Sequence, residues 1–348
     1  MKAVRPALFA LFLSVCLNAA AEARISEYEA AILSGSAQLE LVSLSAYRDS
    51  VAARMRAGVL TRLGFGPDPG RPRVLRAEIG VTPILRYDGN INNGVIGDRL
   101  DLGGLVFLVD EESRARAGLV GGLALSAGSV LSFGQGGTLT LGAGLRYERA
   151  LRHPLSIRGG FLQACGSQHI GRLTWIGLCQ SFHREKRSLD GSRAAVTTLS
   201  FSRVLRNRFG PAELAIELGS LRNDGAQRGF AGLVLRQAAG GFGAFSLEIA
   251  GEHRRAGVNT ADLRIRPGYS TLVRGRPLAV SLLYQKEGGG QFLGRSRRDE
   301  FTLLRFDYAV SRSLSLSLGY RKRHSSAGIY SGSSMIFGFN MRPLALRR

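Results

Sequence analysis

Thr138-Leu139-Thr140-Leu141-Gly142-Ala143-Gly144-Leu145-Arg146-Tyr147-Glu148 is the stretch that decides the fold. In an extended chain Leu139, Leu141, Ala143, Leu145 and Tyr147 fall on one face. Thr138, Thr140, Gly142, Gly144, Arg146 and Glu148 fall on the other. Successive side chains of a strand point to opposite faces, so a period of two marks a strand with one apolar and one polar side.

The same alternation recurs. Residues 313–323 set Leu314, Leu316, Leu318 and Tyr320 against Ser313, Ser315, Ser317, Gly319, Arg321 and Arg323. Met335, Phe337, Phe339 and Met341 alternate with Ser334, Ile336, Gly338, Asn340 and Arg342. Over 262–269, Leu263, Ile265, Pro267 and Tyr269 oppose Asp262, Arg264, Arg266 and Gly268, and over 245–252 Phe245, Leu247 and Ile249 oppose Ser246, Glu248, Ala250 and Glu252. A soluble sandwich would hide the apolar face, whereas a transmembrane barrel turns it to lipid around a polar lumen. The barrel is favoured by segments long enough to cross a bilayer at a tilt. It is favoured too by Arg, Glu and Asp near mid-strand, and by Tyr87, Tyr147, Tyr284, Tyr308 and Tyr320 near the ends of apolar faces, as in an interface girdle. Fifteen strand candidates run from 74–87 to 332–342. Single-chain bacterial barrels normally hold an even number, so fourteen strands are expected, with sixteen as the alternative. Gly runs blur the boundaries over 99–133, which makes that stretch the place of the miscount. The fold class is all-β, a transmembrane antiparallel barrel with a short N-terminal helical segment.

The chain of 348 residues contains 46 Gly, and its 47 Lys and Arg against 26 Asp and Glu give a formal charge of +21. Residues 1–21 read as an export signal: Lys2 and Arg5, an apolar run from Ala7 to Leu17, and Ala19-Ala20-Ala21 before a cleavage point at Glu22. Export removes most nucleic-acid functions that so basic a chain would otherwise suggest, and cleavage takes two positive charges, leaving +19. Residues 22–72 form a periplasmic helical segment closed by a Pro/Gly linker. Ile25, Tyr28, Ile32 and Leu33, then Leu44, Tyr47, Val51, Met55 and Leu63, recur at three- or four-residue spacing. The barrel occupies 73–343, and 344–348 extend past it.

Asp88-Gly89-Asn90-Ile91-Asn92-Asn93-Gly94 alternates like a calcium loop but puts Asn93 at the sixth position and Arg99 at the twelfth, where such a loop needs Gly and Glu. It reads as a turn. Gly134 to Gly137 reads as a hairpin turn rather than a phosphate loop. His153, His169, His183, His253 and His324 lie beside strand ends without a nucleophile context, so no catalytic residue, metal or cofactor is assigned. Cys165 and Cys179 are 14 residues apart and would face each other across a hairpin turning near residue 172; a disulfide and two independent small apolar residues are both open. The luminal basic candidates are Arg146, Arg264, Arg266, Arg305, Arg321 and Arg323. Some would pair with Glu148, Glu248, Glu252, Asp262 and Asp307, and the surplus would leave the lumen or rims positive.

Ile79-Gly80-Val81-Thr82-Pro83, followed by Asp88-Gly89-Asn90-Ile91-Asn92, resembles the opening of the barrel in the surface lipoprotein assembly modifier family. Arg297-Arg298-Asp299, Leu314-Ser315-Leu316, Tyr320, Ile329-Tyr330-Ser331, Phe337 and Phe339 look like its last two hairpins, and Gly142 to Tyr147 is similar to one of its mid-barrel strands. The resemblance covers about residues 75–343. It implies a fourteen-stranded outer-membrane barrel that helps move lipoproteins to the cell surface, with Asp88, Asn90, Ile91 and Asn92 as the shared motif. The helical-repeat domain that normally precedes such a barrel is absent, since 22–72 is too short to hold it.

The expected function is therefore non-enzymatic transport or secretion, with surface export of lipoproteins first. An anion-preferring pore argued from the luminal Arg, and a structural barrel binding lipopolysaccharide, are the alternatives. The expected partners are outer-membrane lipid and lipopolysaccharide, a lipoprotein client and the barrel assembly machinery, with no nucleic acid.

Overall fold

Register closes the sheet. A computed structural model of the chain describes residues 25–66, 70–102, 105–255, 257–341 and 344–347 together with Ser14. The expected export signal thus lies outside the described residues apart from Ser14. The main sheet begins with β1 (Arg73–Asp88). A hairpin of β2 (Arg99–Leu102) and β3 (Leu105–Leu108) stands apart as its own two-stranded sheet. The sheet resumes with β4 (Gly118–Gly134), β5 (Gly137–Ala150), β6 (Ser156–Gly171), β7 (Thr174–Lys186), β8 (Gly191–Asn207), β9 (Gly210–Asn223) and β10 (Ala226–Ala239). It continues through β11 (Gly243–Glu252), β12 (Thr260–Val273), β13 (Arg276–Phe292), β14 (Arg295–Ala309), β15 (Leu314–Ser325) and β16 (Gly332–Met341). Each of these pairs with the next, and β16 returns to β1, so fourteen strands make a closed antiparallel barrel. The fifteenth candidate is the separate hairpin at 99–108.

One parity holds around the circle. Arg86 lies opposite Val120, Val120 opposite Ala150, and on the closing side Arg86 lies opposite Gly338. The face that carries Leu123, Leu145, Leu162, Leu178, Ile216 and Leu218 points outward and is exposed at every one of these positions. An apolar belt of that extent would drive association in water; on a closed barrel it is the lipid-facing surface. Tyr87, Tyr147, Tyr284, Tyr308 and Tyr320 share that outward parity. Among the described residues no helix is long and apolar enough to cross a membrane.

The two ends differ in their connections. At the end where β1 begins, tight turns join the strands: Gln135 and Gly136 have φ of 53° and 80°, Arg274 and Gly275 of 52° and 71°. Positive φ at both central residues matches the twist of a two-residue hairpin. At the opposite end, residues 89–117 form the longest connection. In bacterial barrels the short turns face the periplasm and the longer loops the exterior.

Residues 25–63, expected to be helical, form three helices, α1 (Glu27–Ser34), α2 (Ala37–Leu44) and α3 (Ser50–Arg62). Each start has a side-chain cap. Ser26 and Glu29 form a capping box, and Ser36 and Asp49 accept from the Leu39 and Ala52 amides. Gly35 ends α1 in the left-handed region at φ 71°.

Residues 344–347 are not a free extension. They form β17 (Leu344–Arg347), which pairs with β1 over Glu78–Val81, while β16 reaches β1 only over Ile84–Tyr87. β1 is 16 residues long and β16 only 10, so the first half of β1 would otherwise present an unpaired edge.

Candidate functional site

The lumen is closed differently at its two ends. At the turn end, luminal positions carry apolar side chains: Trp175 on β7, Val204 on β8, Ala238 on β10 and Leu272 on β12. They pack with Ile25, Ala30, Ala31, Leu39, Val42, Leu44, Ala52 and Val59 of the helical segment into one core. Backbone contacts hold the segment from roughly opposite sides of the mouth. The Gly241 amide, in the β10–β11 turn, donates to the Ile25 carbonyl at 2.7 Å. The Ser132 hydroxyl, near the β4–β5 turn, donates to the Gly64 carbonyl at 2.8 Å. Arg206 meets Glu27 at 2.9 Å. At α3, Arg62 sits 2.5 Å from Glu40, and this hydrogen bond raises the arginine above its ordinary value. The helical segment is therefore a lid seated in the barrel mouth.

At the loop end the closure is polar. The Asp88-to-Asn92 motif folds the 89–117 connection back on itself. Asp88 accepts from the Asn90 amide at 2.9 Å, and the Asn90 side chain makes two 2.8 Å bonds with the backbone of Gly94. Asn92, 2% exposed, bonds the Arg114 carbonyl at 2.7 Å and accepts from the Arg116 amide at 2.9 Å. Ile91 is fully buried against the luminal residues Val120, Ala150 and Ile157. The motif is thus a turn with an apolar anchor. Its carboxylate is already taken by Arg86 at 2.9 Å and Arg187 at 3.1 Å, which removes the charge a calcium ion would need.

Two ion-pair clusters flank this loop. In the first, Arg86 reaches Glu148 at 2.7 Å, Arg146 pairs with Glu148 and Glu185, and Arg187 reaches Glu185 at 2.6 Å. Burial alone would lower Arg187, but its bond to Glu185 and the charge of Asp88 hold it above the ordinary value. In the second cluster Asp299, with no exposed side-chain surface, accepts from Arg297 and from the Ser325 hydroxyl, both at 2.6 Å, and pairs with Arg323. Neutral partners could not satisfy so many buried lone pairs as strongly.

Between the clusters lies a cavity of about 310 Å³, lined by Asp88, Asn90, Asn93, Arg187, Arg321 and Ser334 among others. Arg146, Arg264, Arg266, Arg305, Arg321 and Arg323 all lie on the luminal face, and most of them have carboxylate partners. Five of them are ion-paired: Arg146 with Glu148 and Glu185, Arg264 and Arg266 sharing the single Glu248, Arg305 with Asp307, and Arg323 with Asp299 and Glu287. Arg321 differs. It makes no ion pair with a described residue, its Nε donates to the Ser334 hydroxyl at 3.1 Å, and it faces the cavity. The lumen is thus mixed in charge, and of the six candidates Arg321 is the one without a carboxylate partner among the described residues.

Cys165 and Cys179 lie directly opposite each other on β6 and β7, on the luminal face, and are joined by a disulfide. His169 packs against Phe65 and Trp175 under the lid, and His183 stacks on Phe161, so these two histidines serve packing. Among the described residues no group of three His, Cys, Asp or Glu is placed to hold a metal. The residues that sequence reasoning missed are the seats of the lid. Their signal was apolar bulk at luminal phase beside short turns.

No protein-family model and no curated protein matches the chain. Among solved structures it is similar to OpdK of Pseudomonas aeruginosa with vanillate, at 11% identity and TM-score 0.40 over 78% of this chain and 99% of that one. It is similar to OccK2 (OpdF) of the same organism in complex with glucuronate, at 9% identity and TM-score 0.40 over 81% and 100%. A third is OccD1 (OprD), at 10% identity and TM-score 0.41 over 80% and 98%.

Proposed function

We propose that the protein is an outer-membrane channel for small anionic solutes, selecting them at the cavity beneath the 89–117 loop. The observation that carries this reading is Arg321, a luminal guanidinium without a carboxylate partner, beside the hydroxyl of Ser334 and the amide of Asn93. Surrounded by fixed ion pairs, it offers a forked donor to a carboxylate or similar group. The neighbouring pairs hold the other side chains of the cavity in place, so a solute entering it meets Arg321 as the positive group without a bound carboxylate. The helical lid at the turn end sets how often the route is open. The channel catalyses no reaction.

The test is the reversal potential of the reconstituted protein across a planar bilayer under a salt gradient. The wild type should prefer anions, and Arg321→Ser should lower the anion-to-cation permeability ratio about threefold, the order expected for one charge partly screened at this distance scale. Equal ratios in both proteins would remove Arg321 from the selection. Surface export of lipoproteins rests on the short sequence motifs alone. In the barrel those motif residues fold a loop and anchor it, and no geometry here favours a lipoprotein route.

A further inference from the structure

The outward face of the barrel carries a cationic cluster at the loop end of β6 to β9. Register places Arg158 directly opposite Lys186, and Arg184 directly opposite Arg193. Arg222 stands one step further on, opposite Ala195. All five are exposed, and none makes an ion pair with a described residue. Like charges facing each other across strands are destabilising unless something offsets them. The one carboxylate in the lining is Asp224, and its Oδ1 accepts from the Arg193 backbone amide.

These cations stand at the upper end of an indentation of about 1260 Å³, above the several hundred Å³ usual for small-molecule pockets. Its lower part is apolar, with Leu145, Leu162 and Phe182. A second, largely apolar groove of about 540 Å³ runs on into the lipid-facing belt and shares Ala143, Leu162 and Phe182 with the first. It is shallowly floored because Ala127, Ala143 and Ala164 stand where the belt elsewhere carries Leu or Phe. On β7 the last three outward residues are Phe182, Arg184 and Lys186. The step from apolar to cationic therefore takes a single outward position, about 7 Å of strand. The opposite wall lacks this arrangement: there the outward Lys286 faces Glu300, which faces His324.

We propose that this surface is a binding site for a multiply phosphorylated membrane lipid. Its phosphates sit among Arg158, Arg184, Lys186, Arg193 and Arg222, and an acyl chain lies in the alanine-floored groove below. Charge complementarity chooses the occupant. Two stacked like-charge pairs call for more than one negative charge on a single ligand, and the continuous apolar groove calls for a chain attached to it. The inference is independent of the channel reading, since it concerns the outer wall.

The test uses the full-length protein in mild detergent. Native mass spectrometry would compare retention of bisphosphorylated lipid A, monophosphoryl lipid A, phosphatidylglycerol and phosphatidylcholine. Bisphosphorylated lipid A should be retained about tenfold more than phosphatidylcholine, with the two singly phosphorylated lipids between. The double variant Arg184→Gln/Arg193→Gln should lose most of that preference. Ala143→Leu, which fills the groove and leaves the cations, should weaken lipid A retention while sparing binding of acyl-free glucosamine bisphosphate. Heat-modifiable gel mobility checks that each variant is folded. Equal retention of phosphatidylcholine overturns the proposal, as does a folded double variant that keeps the preference. Acyl-free glucosamine bisphosphate binding as tightly as lipid A would overturn the lipid assignment, leaving a bare phosphate site.

Discussion

The two ends of the lumen are closed by opposite physics. At the turn end Ala30, Ala31 and Leu39, all fully buried, pack on Trp175, Val204 and Ala238. That closure is apolar, non-directional and little affected by salt. At the loop end the closing groups are guanidinium–carboxylate pairs around Glu148 and Asp299, both without exposed surface. That closure is directional and fails if one partner is lost. An apolar lid obstructs every solute alike, whereas a charged collar discriminates among them. On the channel reading proposed above, the turn end would govern access and the loop end choice.

The widest separation of the two ends should come from Leu39→Asp. It puts an unpaired carboxylate into the lid's core at a cost of several kcal/mol. The lid should unseat and single-channel conductance in a planar bilayer should rise about tenfold; an unchanged conductance would mean that the helices do not limit flow. Asp299→Asn at the loop end strips Arg297 and Arg323 of their shared partner. A loss of about 3 kcal/mol follows from breaking a buried pair on one side, read as a lower midpoint of heat-modified gel mobility, with conductance little altered. If conductance rose as far as in the Leu39 variant, the division of labour would collapse. The smallest effect belongs to Glu27→Gln, which removes the half-exposed Arg206 pair at the rim of the lid. It should destabilise by no more than about 1 kcal/mol and vanish in high salt.

The barrel was legible in the sequence because alternation is a local property. Residues 138–148 read the same way in isolation as they do inside β5. The strand count was blurred by one because the 99–108 hairpin has strand-like composition but pairs only with itself. The lid was half legible: the three- and four-residue spacing of apolar residues announced helices, but nothing local said that Trp175 and Val204 would receive them. Alternation gives the face of the luminal arginines, but their pairing depends on register. Arg323 finds Asp299 only because β15 and β14 are paired with a particular offset. Arg158, Arg184, Arg193 and Arg222 were overlooked for the same reason: each ends an otherwise apolar phase, and only strand pairing gathers them.

The shortness of the β1–β16 contact has a consequence for assembly. Barrel closure requires the earliest strand to find the latest segments, across more than two hundred intervening residues, and four of the residues that complete the seam are Leu344 to Arg347. Until they arrive, Glu78 to Val81 present backbone donors and acceptors on that edge with no water inside the bilayer to satisfy them. The seam is closed by two separate pieces of chain, and removing Leu344 to Arg347 would leave the wall ajar on one side without disturbing any strand in the middle.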